Sequence, residues 1–476
     1  MAQHDYDIAN DTGANVRADI NNVLDAIATN NNGSSAPSTT FAHQFFANNT
    51  DEIMQIRDAG NSNFINLFTL AGGPAFPIDG TINSVNIGKG ANSVAGNTVL
   101  GEAALDGTVS GGNNTAIGKQ ALTALTSGAN NTAIGLEALK TITTASSNTA
   151  LGSGALKLND AGASNTAIGA FALDANTSGN FNTAIGAATL GVNSSGSNNV
   201  AIGRQALDAN TTADDNVAIG VGALGVNQTG SQNIAIGKNA LDANTTADNN
   251  TAIGNSALGA NSTGTGNTAI GALALNANTT ADNNTAIGKN ALLVNTEGNS
   301  NTACGTTSLD SVTDGDNNSA LGKDSGNAIT TGNNNLMLGH DAGTSSSPSG
   351  AITTESNRIC IGDNSITNAH IKVAFTVTSD ARDKIEDGIV SHGLDFVNKL
   401  QPKSFWFKKN RDSNEKTGDK RYGFYAQDIL ALEGSNPVVI DNKDLENLKY
   451  KGEQLIPILV NAIKELSAKV TALEAA

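Results

Sequence analysis

At residues 376–384, TVTSDARDK, a serine and a lysine stand five positions apart, Ser379 and Lys384. A serine hydroxyl attacks a carbonyl only if a base takes its proton, and lysine serves as that base when desolvation or nearby charge lowers its pKa. Ser–Lys pairs are a variant of triad chemistry. An isolated pair at this spacing is ordinarily a turn residue and a surface residue, so its meaning depends on what flanks it. A second set of chemistry-bearing residues is acidic: Asp174, Asp208 and Asp242 lie 34 apart, as do Asp214, Asp248 and Asp282. Isolated carboxylates with few companions make poor calcium cages, so no metal or cofactor is expected. The two cysteines, Cys304 and Cys360, read as small buried hydrophobes rather than a disulfide or metal pair.

The background to these residues is unusual. Among 476 residues there are 52 Gly, with 4% aromatic and 15% charged, too few bulky side chains for one large core. The net charge of −17 lies almost wholly upstream of Ser379, because the segment from there onward holds 15 Lys and Arg against 16 Asp and Glu. An acidic body argues against nucleic acid or anionic lipid as partner. No apolar run is long enough to span a bilayer, and MAQHDYDIAND lacks the basic and apolar regions of a signal peptide. We therefore expect neither membrane insertion nor standard export.

The middle of the chain is a repeat. Glycines of the motif NTAIG fall every 17 residues from Gly101 to Gly339, and Leu follows four positions later from Leu105 to Leu309, yielding to Gly326 and Gly343 in the last two units. So regular a period predicts a solenoid. Within NTAIG the residues alternate, Thr115 and Ile117 to one side and Asn114 and Ala116 to the other, as in a strand. Coils of 17 residues, each with two short strands, should stack at about 4.8 Å. A 34-residue coil would set the like-spaced aspartates in direct contact, so the shorter coil is preferred. So thin a coil buries little, and packing against further copies of the chain would be the ordinary remedy.

The NTAIG…AL units resemble the head repeats of trimeric bacterial adhesins, left-handed parallel β-rolls, and the repeats of phage tail fibres. The resemblance implies a homotrimer. Residues 14–27, ANVRADINNVLDAI, have helical apolar spacing, and the aromatic segment that follows reads as strands joined by turns. This N-terminal stretch resembles that of tail fibres of marine podovirus-like phages, which implies attachment to the virion through tail or adaptor proteins. After TSDARDK come HGLDFVNKLQPKSFWF, RYGFYAQDI and LKYKGEQLIPILVNAIKELSAKVTALEAA. In this order they resemble the intramolecular-chaperone autoprotease domain found behind tail spikes, tail fibres and endosialidases.

That likeness implies that Ser379 is a nucleophile and Lys384 its base, cutting the chain at Thr378–Ser379, with Arg382, Gly423 and Gln427 as supporting residues. Ala381 stands where the family usually carries a basic residue. In the last segment Ile456, Ile463 and Val470 alternate with Leu459, Leu466 and Leu473, a short heptad. The concentration of Phe405, Trp406, Phe407, Tyr422, Phe424 and Tyr425 suggests an ordinary α+β core for this domain.

The expected architecture is mainly β. An elongated homotrimeric β-roll or β-solenoid shaft of 17-residue coils would precede an α+β chaperone domain ending in a coiled-coil helix. The divisions are 1–75 for virion attachment, 76–100 as lead-in, 101–345 as repeats, 346–378 as neck or tip, and 379–476 as chaperone autoprotease. The expected function is that of a virion tail fibre binding a host-surface receptor, a glycan or outer-membrane component, with self-cleavage as its sole enzymatic act. A bacterial surface adhesin and a polysaccharide-degrading spike are the alternatives. The second would need paired carboxylates in an aromatic-walled groove, whereas the repeats carry only Phe171 and Phe181.

Overall fold

The computed structural model describes residues 84–366, 368–372, 379–408, 411–443, 445–446 and 448–476. It also describes the backbone of strands Asn32–Gly33, Phe45–Asn48, Ile53–Arg57, Phe64–Thr69 and Gly80–Ile82. The expected helix at 14–27 lies outside these residues, as do 373–378, which include Thr378 and the end of the neck segment. The chain divides into two compact units, 1–218 and 219–476.

In the first unit, Phe45–Asn48, Ile53–Arg57 and Phe64–Thr69 form an antiparallel meander, with Asn32–Gly33 parallel at its edge. The repeat begins at Thr98–Gly101 and continues through Thr115–Ile117, Thr132–Ile134 and successors every 17 residues. Neighbouring strands pair parallel and in register, Thr115 with Thr132, Ala116 with Ala133 and Ile117 with Ile134. In the second unit the same register joins Thr251–Ile253 to Thr268–Ile270, and so on to Leu336–Leu338. The 17-residue coil is therefore the repeating unit. The last step is longer: Leu336 pairs with Ile359, 23 positions on, so the final coil carries six extra residues.

Each coil holds one strand of three residues, not two strands. The reason lies in the backbone. Gly118, Gln120, Leu122 and Asn130 all have positive φ within one coil, and a left-handed residue breaks an extended run. The glycine that follows each strand is obligatory. At Gly254, with φ +136°, a Cβ would lie 2.6 Å from the carbonyl of Gly271 on the next coil. The leucine four positions later is also left-handed, 54° at Leu122, a conformation costing roughly 1–2 kcal/mol. Its complete burial offsets that cost. Where Gly326 and Gly343 replace it, the Met337 side chain lies beside them and fills the vacated space.

The strand's inward face carries small residues. Ala116, Ala133, Ala252 and Ala269 are fully buried, whereas the Thr and Ile positions are half-buried to exposed. The inward position thus holds Ala rather than Ile in most coils, with Val99, Met337 and Cys360 taking it in the first and last ones. Cys304 occupies an Ile position and is accordingly half-buried rather than buried. Cys360 pairs with Met337 on the inward face and is buried, as expected.

Asparagine supplies the rest of the interior. Asn114, Asn131, Asn148 and Asn165 are buried in a column in the first unit, and Asn250, Asn267, Asn284 and Asn301 in the second. Each Oδ1 accepts the backbone N–H of the next coil, as Asn114 does from Asn131 at 2.9 Å. Each Nδ2 donates to a carbonyl of that coil, as Asn114 does to Gly128 at 3.0 Å. A second column runs through Asn159, Asn176, Asn193 and Asn210, where Asn176 Nδ2 meets Asn159 Oδ1 at 2.7 Å. These amides satisfy buried backbone groups that a second strand would otherwise pair. Asp208 lies two coils from Asp174, and the position between is Gly191, where a Cβ would come within 2.6 Å of the Asp208 carboxylate.

The C-terminal segment is a small α+β arrangement. Helix α1 (Leu394–Lys399) leads to a hairpin of Lys403–Lys408 with Lys416–Gly423. Helix α2 (Ala426–Glu433), a short pair Ile440–Asp441 with Lys449–Tyr450, and helix α3 (Leu455–Glu474) follow. Its core is mostly aliphatic, Phe396, Leu400, Ile429, Val439, Ile440, Leu455 and Ile458, with Phe424 at its edge. Trp406, Phe407, Tyr422 and Tyr425 are exposed, so the expected aromatic core is corrected: a short hairpin leaves one face open. Helix α3 buries Leu455, Ile458 and Ala462 against its own domain. The heptad positions lie elsewhere on the helix, with Ile456, Ile463 and Leu473 between 60% and 77% exposed.

Candidate functional site

The segment from Ser379 to Lys384 is organised by a carboxylate that sequence reasoning did not single out. Asp380 precedes a single 3₁₀ turn, Ala381–Asp383, and its side chain accepts from the Arg382 backbone N–H at 2.9 Å. Such a cap satisfies an N–H that the turn leaves open. The Arg382 guanidinium folds back onto the same carboxylate, with Nη2 donating at 2.6 Å and Nε at 3.1 Å. This contact holds the Asp380 carboxyl below its ordinary pKa and raises that of Arg382. The turn closes when the Lys384 N–H donates to the Ala381 carbonyl at 3.2 Å.

One turn is the length needed to return the lysine side chain to the serine. Lys384 Nζ donates a hydrogen bond to Ser379 Oγ. Both residues, and the whole run from 379 to 391, are exposed. Thr378, on the other side of the expected scissile bond, lies outside the described residues. Arg382 is joined to the pair through Asp380, whereas Gly423 and Gln427 make no hydrogen bond to it among the described residues. Gly423 ends the hairpin opposite Lys403, where an added Cβ would sit 3.2 Å from the Phe405 ring. Gln427 is an exposed residue in the first turn of α2.

The dyad's anchor to the domain comes through α3. Glu465 Oε2 accepts the N–H of Leu394 at 2.8 Å, and Asn461 Nδ2 donates to the His392 carbonyl at 3.0 Å. Gly393 leaves room for that carboxylate, since a Cβ there would meet Glu465 Oε1 at 2.0 Å. The last helix thus braces the strand of chain that leads away from Lys384. On the α2 side, Glu433 gathers three backbone N–H groups, from Val438, Val439 and Ile440, at 2.7–3.0 Å.

Residues 379–434 match the family model for the chaperone of endosialidase. The match begins at Ser379 itself and runs through the hairpin and α2. Together with the repeat of parallel coils, this chaperone match fits a phage tail fibre or spike that carries a C-terminal chaperone domain. No curated protein and no solved structure matches the chain. Among the described residues no helix is long and apolar enough to cross a membrane.

Proposed function

We propose that the chain is a homotrimeric tail fibre of a virion, whose chaperone domain aligns three copies and then cuts itself off at Thr378–Ser379. The observation that carries this reading is the hydrogen bond between Lys384 Nζ and Ser379 Oγ at the first residue of the chaperone match. With the lysine neutral, the same contact passes the hydroxyl proton to Nζ while Oγ attacks the Thr378 carbonyl carbon. The C–N bond to Ser379 breaks, its nitrogen takes the proton from Nζ, and an ester links Thr378 to Ser379 Oγ. Water then hydrolyses the ester and releases two chains.

Exposure of the dyad ties this chemistry to assembly. A lysine base requires desolvation, and a lone chain leaves Lys384 in water. A neighbouring copy that covers the turn would supply it, so cleavage follows trimerisation. Two apolar faces support such packing. One is the heptad stripe of α3; the other is the Ile column of the coils, where Ile270, Ile287 and Leu321 are 37%, 39% and 56% exposed. The N-terminal region would join the fibre to other tail proteins, and the fibre would bind a glycan or outer-membrane component on the host.

Intact mass of the purified protein beside a Ser379→Ala variant tests the reading. Two fragments meeting at Thr378–Ser379 in the first, and one full-length chain in the second, are expected. A single intact chain in both would overturn the autoprotease.

A further inference from the structure

At the far end of the repeat, three successive coils bring unlike groups together. Lys323, His340 and Asp363 each follow the repeat glycine of their coil, and Asp324 and Asp341 come one residue later. Asp324 and Asp341 stack one coil apart, their backbones fixed by hydrogen bonds from Asp324 N–H to the Thr306 carbonyl at 3.0 Å and from Asp341 N–H to the Lys323 carbonyl at 3.2 Å. Like charges at neighbouring coils repel. Lys323 Nζ, 2.6 Å from Asp324 Oδ2, offsets one of them. Asp341 and Asp363 remain, and between them stands His340, its Nδ1 3.5 Å from Asp341 Oδ2 and 3.4 Å from Asp363 Oδ2. One ring nitrogen carries at most one proton, so it can donate to only one of two carboxylates.

We propose that Asp324, His340 and Asp341 bind a first-row divalent cation, with zinc the best fit and solvent completing its coordination. Ligand atoms of Asp324, His340 and Asp341 already lie within 4.8 Å of one another. Zinc bonds of about 2.0–2.1 Å in a tetrahedron place ligands roughly 3.3 Å apart. The 3.5 Å separation from His340 Nδ1 to Asp341 Oδ2 is close to that edge length. The side chains of Asp324, Asp341 and Asp363 are 18–25% exposed, so an ion can enter without unfolding a coil. An imidazole among carboxylates suits zinc or its neighbours rather than calcium, which takes six to eight oxygens. Because Asp324 lies one coil before His340 and Asp341, the ion would pin those two coils together next to the six-residue insertion. This site stands on the repeat alone and is independent of the cleavage reading.

The test uses untagged full-length protein, stripped with chelator and dialysed against zinc alone. One zinc per chain is expected, with affinity falling at least tenfold in His340→Ala and in Asp341→Asn. Calcium should neither bind nor compete. A Glu137→Gln variant, altering a carboxylate already paired with Lys140 and Lys157, should bind as the native protein does. Circular dichroism establishes that each variant retains the repeat; if His340→Ala does not, Asp341→Asn decides. No uptake at micromolar zinc, or equal uptake by the folded variants, would overturn the site.

Discussion

Asp380 does two things at once: it caps the turn that returns Lys384 to Ser379, and it holds the Arg382 side chain. Removing its carboxylate in Asp380→Ala should slow self-cleavage several-fold without abolishing it, read as the fraction cut over time. Lys384→Arg should abolish cleavage entirely while preserving a cation at the same place, because a guanidinium does not give up its proton. Interior asparagines present a different kind of dependence. In Asn250→Ala the N–H of Asn267, held at 2.9 Å, and the carbonyl of Gly264, held at 2.8 Å, lose their partner. Two unsatisfied buried groups should cost roughly 2–6 kcal/mol, measured as a fall in the unfolding midpoint of the coils.

Within the coils, burial and charge oppose each other along the aspartate column. Burial raises the pKa of Asp174, helped by the charge of Asp208, and burial likewise raises that of Asp208. A folded value above the unfolded one means the folded state holds the proton more tightly. The stability this lends is present in acid, below about pH 4, and is lost as pH rises through the raised value. Asp208→Asn should therefore raise the unfolding midpoint at pH 7 by roughly 1–2 °C after allowance for solvent screening, with the gain vanishing near pH 3.5. The fold accepts that residue, since Asn276 occupies the corresponding position over Gly259. In helix α3 the two faces should separate cleanly. Ile463→Asp, on the exposed stripe, should leave a folded chain of monomer mass by light scattering, whereas Ile458→Asp, in the core, should unfold the domain.

For the whole molecule the difficulty is register. Every coil pairs Thr with Thr and Ala with Ala in most steps, so a slip of 17 residues sacrifices few contacts. A domain that folds on its own core can align copies before the coils zip. Under the proposed cleavage, its removal would leave the fibre held kinetically in that arrangement. The uncleavable Ser379→Ala protein should therefore refold from denaturant to its original assembly, and the matured fibre should not, as followed by sedimentation. Equal recovery would show that the coils find register unaided.

The amino-acid sequence alone determined the length of the coil, because the glycine spacing is an unbroken 17 residues and a 34-residue coil would stack like-charged aspartates. It also determined the place of the obligatory glycines, the Ser379–Lys384 pairing and the chaperone character of the C-terminal segment. What it did not reveal was which side of each residue faces in. NTAIG alternates, but alternation does not say which set is buried. Tertiary structure decided it, setting Ala beneath most strands and filling the rest of the interior chiefly with Leu and hydrogen-bonded Asn. The same holds for Asp380, whose role is the geometry of a turn, and for His340 between Asp341 and Asp363. Residues 17 or 23 positions apart become neighbours only when coils stack, and no local pattern in the chain records that contact.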